Sequence, residues 1–156
     1  MFTGDRSGEW LFAALERAGL SSQPVSRSRA DGLVLRGAYI TAVVHCAPPG
    51  NQPSVAERDA CSPYLVRELA LLEDARVLVA LGKFAFDALC RHYDVRPRPV
   101  FGHGSPVRLP QGRHILGCYH PSQQNTFTGR LTEAMLDEVL SEARRLASPR
   151  PGPAGG

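Results

Sequence analysis

A single lysine, Lys83, stands in a chain of 156 residues, and every other fixed cation on a side chain is arginine. An amine nucleophile therefore has one candidate. Its place directly after Gly82 reads more naturally as a helix start near a phosphate. Long apolar runs are missing as well: the best of them, "VLVALG", falls far short of the roughly 20 residues that cross a bilayer as a helix. The opening "MFTGDRSGEW" lacks the basic and then apolar order of a secretory signal, so the expected location is cytoplasmic with no membrane partner. Nor is either charge in large excess. Eighteen Lys and Arg against fifteen Asp and Glu leave +3, which permits a polyanionic partner without requiring one.

Cysteines number four, at positions 46, 61, 90 and 118. A reducing compartment argues against a disulfide framework. Cys90 in "FAFDALC" and Cys118 at the end of a strand pattern read as small buried apolar side chains. Cys46 and Cys61 each adjoin a loop or helix start with proline and polar neighbours. Two thiols are half of what a structural metal needs, and spacing alone assigns them nothing more.

What the chain does have is alternation. Trp10, Leu11, Ala14, Leu15 and Ala18 recur at helical spacing from about Ser7 or Gly8, and Gly19 stops the pattern. "LVLRGAYITAVVHC" reads as one buried strand, and the prolines of "APPGNQPS" make a loop. Ser54 with Glu57 makes a capping box for a helix to about Leu72, with a break expected at Pro63. "ARVLVALG" is a strand covered on both faces, and "KFAFDALCRHY" a helix. Residues 94–112 read as loop, "RHILGCYH" as the last strand, and "LTEAMLDEVLSEARRLA" as an amphipathic helix. This is an α/β chain with a mainly parallel sheet, one domain over residues 1–148 and a disordered tail over 149–156. In such sheets the functional loops leave the C-terminal strand ends. That rule selects Cys46 to Ser54, Gly82 with Lys83, and His120 to Arg130.

Set side by side, "FTGDRSG", "YITAVVHCAPPGNQPS", "VALGKFAFDAL" and "CYHPSQQNTFTGRLT" resemble the iron–sulfur uracil-DNA glycosylases of family 5, from Phe2 to about Leu146. The resemblance implies a three-layer α/β/α sandwich around a central, mainly parallel sheet. It implies a four-iron, four-sulfur cluster held by four cysteines, of which Cys46 and Cys61 would be two. The other pair, a Cys-x-x-Cys, and the Gly- and Ala-rich first loop are absent from these residues. The expectation is a family member lacking its first strand.

For the site, the resemblance implies Asp5 on the water side of the sugar, where the residues alone suggest an N-cap. His120 would face a base carbonyl, neutral or charged. Pro121 and Ser122 would shape the turn, and Gln123, Gln124 and Asn125 would belong to a loop entering the DNA minor groove, where amides meet acceptors on the floor. Arg130 would contact phosphate, Asn51 rest near the pocket or backbone, and Phe2 stack on the flipped base. Members with narrow uracil preference carry an Asn where this chain has Ala42, so broader acceptance of deaminated and modified bases is expected. The expected function is a monomeric, monofunctional DNA glycosylase of base excision repair that leaves an abasic site. Two alternatives stay open: an inactive DNA-binding remnant, and a small zinc protein using Cys46, Cys61 and His45.

Overall fold

The computed structural model describes residues 4–45 and 53–148. Helix α1 (Arg6–Arg17) begins a residue or two before the expected start, because Asp5 caps it and accepts a hydrogen bond from Gly8 N–H at 2.6 Å. Helix α2 (Val55–Leu71) carries the expected capping box at Ser54 and Glu57. It runs unbroken through Pro63, against the expected break. Pro63 is exposed, so the carbonyl it leaves unbonded faces water, while Leu65 and Leu69 beyond it are buried and hold the second half in place.

Strand β1 (Val77–Leu81) leads into α3 (Lys83–His92), then come β2 (Pro106–Arg108), β3 (His114–Cys118), α4 (Gln123–Phe127) and α5 (Glu133–Ala147). The sheet order is β1-β3-β2. β1 pairs with β3 in parallel, Val77 against His114 through Leu81 against Cys118, and β2 pairs with β3 antiparallel. The described sheet is thus mixed, one parallel and one antiparallel pair, where mainly parallel was expected.

Two expectations about strands are corrected. Residues 33–45 form no strand: Leu35 makes one isolated bridge with Ser21, and the backbone of 38–45 hydrogen-bonds to no described residue. Their β-branched composition supplies side chains suited to a sheet, but a strand also needs a neighbour's edge. No described strand lies beside them. β2, by contrast, arises inside the stretch read as loop, with Pro106 at its first position on an outer strand, where a missing N–H does no harm.

Period-two alternation divides β1 between two apolar layers. Val77, Val79 and Leu81 face α1 and α5, together with Leu116 and Cys118 of β3. Leu78 and Ala80 face α2 and α3, together with Ile115. Helices therefore cover both faces of the sheet, the three-layer α/β arrangement expected. Cys90 and Cys118 lie in these cores, and burial pushes the Cys118 thiol up to about 12. Both are the apolar fillers their surroundings in the sequence suggested.

Candidate functional site

β1 and β3 end level, at Leu81 and Cys118, so whatever follows each strand is delivered to one edge of the sheet. Gly82 leaves β1 with φ +89°, a conformation that favours glycine. Its N–H donates to the Cys118 carbonyl at 2.7 Å, and a Cβ on it would stand 3.4 Å from Cβ of His120. The missing side chain lets the turn press against that histidine.

His120 sits at the lip of β3, half-buried, and burial lowers its pKa below the usual 6.5 while the Asp5 carboxylate pulls weakly the other way. The net shift is downward, so the imidazole is neutral at neutral pH. The electrostatic coupling also shows that the head of α1 and the end of β3 are neighbours. Asp5 itself is exposed, with one carboxylate oxygen on the Gly8 N–H. The cap reading is therefore correct, and it leaves the carboxylate facing solvent next to His120.

The loop beyond His120 is built in the same local way. Pro121 is fully buried, and Ser122 caps α4 by accepting from Asn125 N–H. The Asn125 side chain turns back and donates to the His120 carbonyl at 2.8 Å, so it positions the loop. Gln123 and Gln124 are exposed, and their amide groups hydrogen-bond to no described residue. Arg130 lies over the Tyr119 ring at 4.8 Å, exposed and with no ion pair among the described residues. Lys83 pairs with Asp87 one turn along α3.

His103 was not singled out from the sequence. It stacks on Tyr119 at 4.8 Å, and its Nδ1 accepts the Tyr119 N–H at 3.1 Å, which puts the proton of the neutral ring on Nε2. The loop carrying it crosses β3 so closely that a Cβ on Gly117 would fall 2.3 Å from the Gly102 carbonyl oxygen. A Gly-His-Gly run in a stretch of prolines was the available signal.

Cys61 lies half-buried on α2, one turn before Tyr64, whose ring meets that of His45 at 5.5 Å. Glu68, a further turn along, accepts hydrogen bonds from Tyr39 and Thr41 and stands 3.9 Å from His45 Nε2. The segment before Cys46 is thus docked along the helix that carries Cys61. Phe2, Cys46 and Asn51 lie outside the described residues. Among those described, no three His, Cys, Asp or Glu side chains converge as metal ligands. A cubane cluster takes four thiolates, and Cys61 is the one described cysteine not packed in a core, so the described residues alone do not fit the cluster the resemblance implies. Of the zinc trio, Cys46 lies outside the described residues, and His45 meets Glu68 and Tyr64.

A 710 Å³ cleft lies at the opposite end of the sheet, between Arg76, Arg108, Arg113 and His114, and includes none of the residues selected from the sequence. Burial and coupling at the strand ends, not cavity size, locate the candidate chemistry.

Comparison with known proteins points to one family. Residues 1–144 match the family model described as the uracil DNA glycosylase superfamily. A type-5 uracil-DNA glycosylase of Mycobacterium tuberculosis is 55% identical over 150 residues, which are 94% of this chain and 56% of that protein. Its namesake in Mycobacterium leprae is 53% identical over 150 residues, 94% of this chain and 66% of that protein. In Thermus thermophilus the figures are 52% over 147 residues, 94% and 67%. The chain spans between 56% and 67% of the length of these curated relatives.

Proposed function

Since the chain belongs to the uracil-DNA glycosylase superfamily, on its type-5 branch, we propose that it hydrolyses the N-glycosidic bond of uracil in DNA and leaves an abasic site. The observation that carries this reading is the Asp5–His120 pair: an exposed carboxylate and a neutral, half-buried imidazole, electrostatically coupled where the head of α1 lies near the end of β3.

The pair suits the charges that develop. As the bond breaks, its electron pair stays on the base, the sugar gains oxocarbenium character, and a water oxygen bonds to the anomeric carbon. Asp5 orients that water, takes up its proton and stabilises the positive sugar. His120 donates one hydrogen bond to the carbonyl oxygen on which the anionic base spreads its charge. The neutral form suffices, because a hydrogen-bond donor is needed and not a full positive charge. Gln123 and Gln124 offer amides to the minor groove once the nucleotide has left the stack, and Arg130 a cation to phosphate. Ala42 is too short to read a base edge, which widens the set of bases accepted. Lys83, held by Asp87, is no Schiff-base nucleophile, and the enzyme stops at the abasic site. Cys46 and Cys61 belong to this reading as cluster ligands, which iron and sulfide analysis after oxygen-free purification checks.

Release of uracil from a duplex oligonucleotide tests the proposal. Asp5→Asn and His120→Ala each lower the rate by about 100-fold or more, as loss of one transition-state contact does. Wild-type rates in both variants overturn it. A second reading is binding to damaged DNA without hydrolysis, favoured by the engagement of Asp5 as a helix cap. Tight binding to the uracil duplex with no release of base, in the wild-type chain, decides for it.

A further inference from the structure

Phe127 is the last residue of α4 and is 66% exposed, on the same short helix as Gln123 and Gln124. Exposed single apolar residues are common and carry no message alone. Here the ring holds a cation: the Arg6 guanidinium lies 4.3 Å from its centroid, well inside the cation–π range of about 6 Å. Arg6 has no ion pair or hydrogen bond to a described side chain, and it follows Asp5 directly. Asp5 is the carboxylate felt at His120, so the pair of planes borders the candidate site.

The surroundings select the chemistry of the occupant. The loop that follows α4 adds a second cation, the exposed Arg130, and no acidic residue lies between His120 and Thr132, which favours a polyanion. The residues flanking Phe127 in the chain, Gln124, Asn125, Thr126 and Thr128, are polar, which suits the apolar face of a protein helix poorly. One flat aromatic face among amides, hydroxyls and arginine matches a nucleobase, whose ring stacks and whose phosphate seeks a cation.

We propose that Phe127 and Arg6 form a stacking platform for an unpaired nucleobase that flanks the extruded one, which admits single-stranded DNA as a substrate. This rests on the reading of the strand ends as a glycosylase site. With a rise of about 1.5 Å per residue, Phe127 stands about 4.5 Å along α4 from Gln124, close to one base step of about 3.4 Å. When the glutamines occupy the gap, the ring meets the neighbouring nucleotide. In duplex DNA that neighbour is paired and stacked. In a single strand it is free to turn onto the ring.

The test uses a single-stranded oligonucleotide with 2′-fluoro-deoxyuridine, which resists hydrolysis, and 2-aminopurine on one side or the other of it. Phe127→Ala lowers affinity about tenfold, the usual loss for one stacked base, and abolishes the change in 2-aminopurine fluorescence on binding. Phe127→Trp retains both. Unchanged affinity and signal in Phe127→Ala overturn the platform. Uracil release from duplex by the wild-type chain is measured in parallel. Release with an unaffected Phe127→Ala refutes the platform and keeps the glycosylase reading. Phe127-dependent binding without release refutes the glycosylase reading and keeps the platform.

Discussion

Replacing Gly117 by alanine is the most informative single perturbation of the scaffold behind the site. Its added Cβ would lie 2.3 Å from the Gly102 carbonyl oxygen and 3.2 Å from Cε2 of Phe101. The 101–105 loop must withdraw from β3 by about 1 Å to restore ordinary contact. That movement stretches the Gly104 N–H bond to the Gly117 carbonyl, now 2.8 Å, and the Tyr119 N–H bond to His103. Forced repacking costs about 1–3 kcal/mol and a weakened hydrogen bond about 1 kcal/mol, giving about 3 kcal/mol in all. For a chain of this size the melting temperature falls by about 6–12 °C. Gly112→Ala is the control. Its φ of +78° strains an alanine, but no atom lies within 4 Å, so its cost is near 1 kcal/mol. Melting of the two variants by circular dichroism compares them directly. A Gly117→Ala protein that melts at or above the Gly112→Ala protein refutes the close-crossing argument. Base release measured well below both midpoints is also expected to fall, since Tyr119 immediately precedes His120.

Three further outcomes follow from the electrostatics. The folded His120 has a lowered pKa, so the unfolded chain takes up a proton near pH 6.5 that the folded chain refuses; stability falls as pH drops from 6.5 towards the folded value. His120→Gln removes that part of the slope in melting temperature against pH, and an identical slope in both proteins refutes it. Asp5→Asn removes the opposing carboxylate and moves the His120 titration, followed by NMR of the imidazole proton, to still lower pH. Affinity for duplex DNA falls with salt at about 0.9 log units per phosphate neutralised, and Arg130→Ala flattens that slope by roughly one phosphate's worth. An unchanged slope places Arg130 away from the backbone.

Elements with strong periodicity were legible before any coordinates. α5 and α1 show their apolar stripes, and β1 its unbroken apolar run, because local pattern and burial agree there. Residues 33–45 misled because pairing is a property of the neighbour, which composition does not contain. Their side chains do reach the cores, with Leu33, Leu35 and Ile40 on one side of the sheet and Val43 on the other, so the apolar pattern recorded burial and not a ladder. β2 and α4 were too short, at three and five residues, for any period to show. At the site, the sequence supplied Asp5, His120 and the amides through motif likeness. It could not supply Gly117, His103 or Tyr119, whose roles depend on one loop crossing a strand. Nor did it mark Phe127, because its link to Arg6 joins opposite ends of the chain.

Glu68 deserves a last consequence. It gathers Tyr39, Thr41 and His45 onto one turn of α2, and the backbone of that segment has no ladder with the described residues. Among the described residues, side-chain contacts alone therefore fasten it, whereas β3 is bonded on both edges. In hydrogen exchange the amides of β3 close last and open only with the whole molecule, while residues 38–45 exchange through small, independent excursions. Residues 38–45 can thus loosen and re-dock on α2 without disturbing the end of β3 that carries His120.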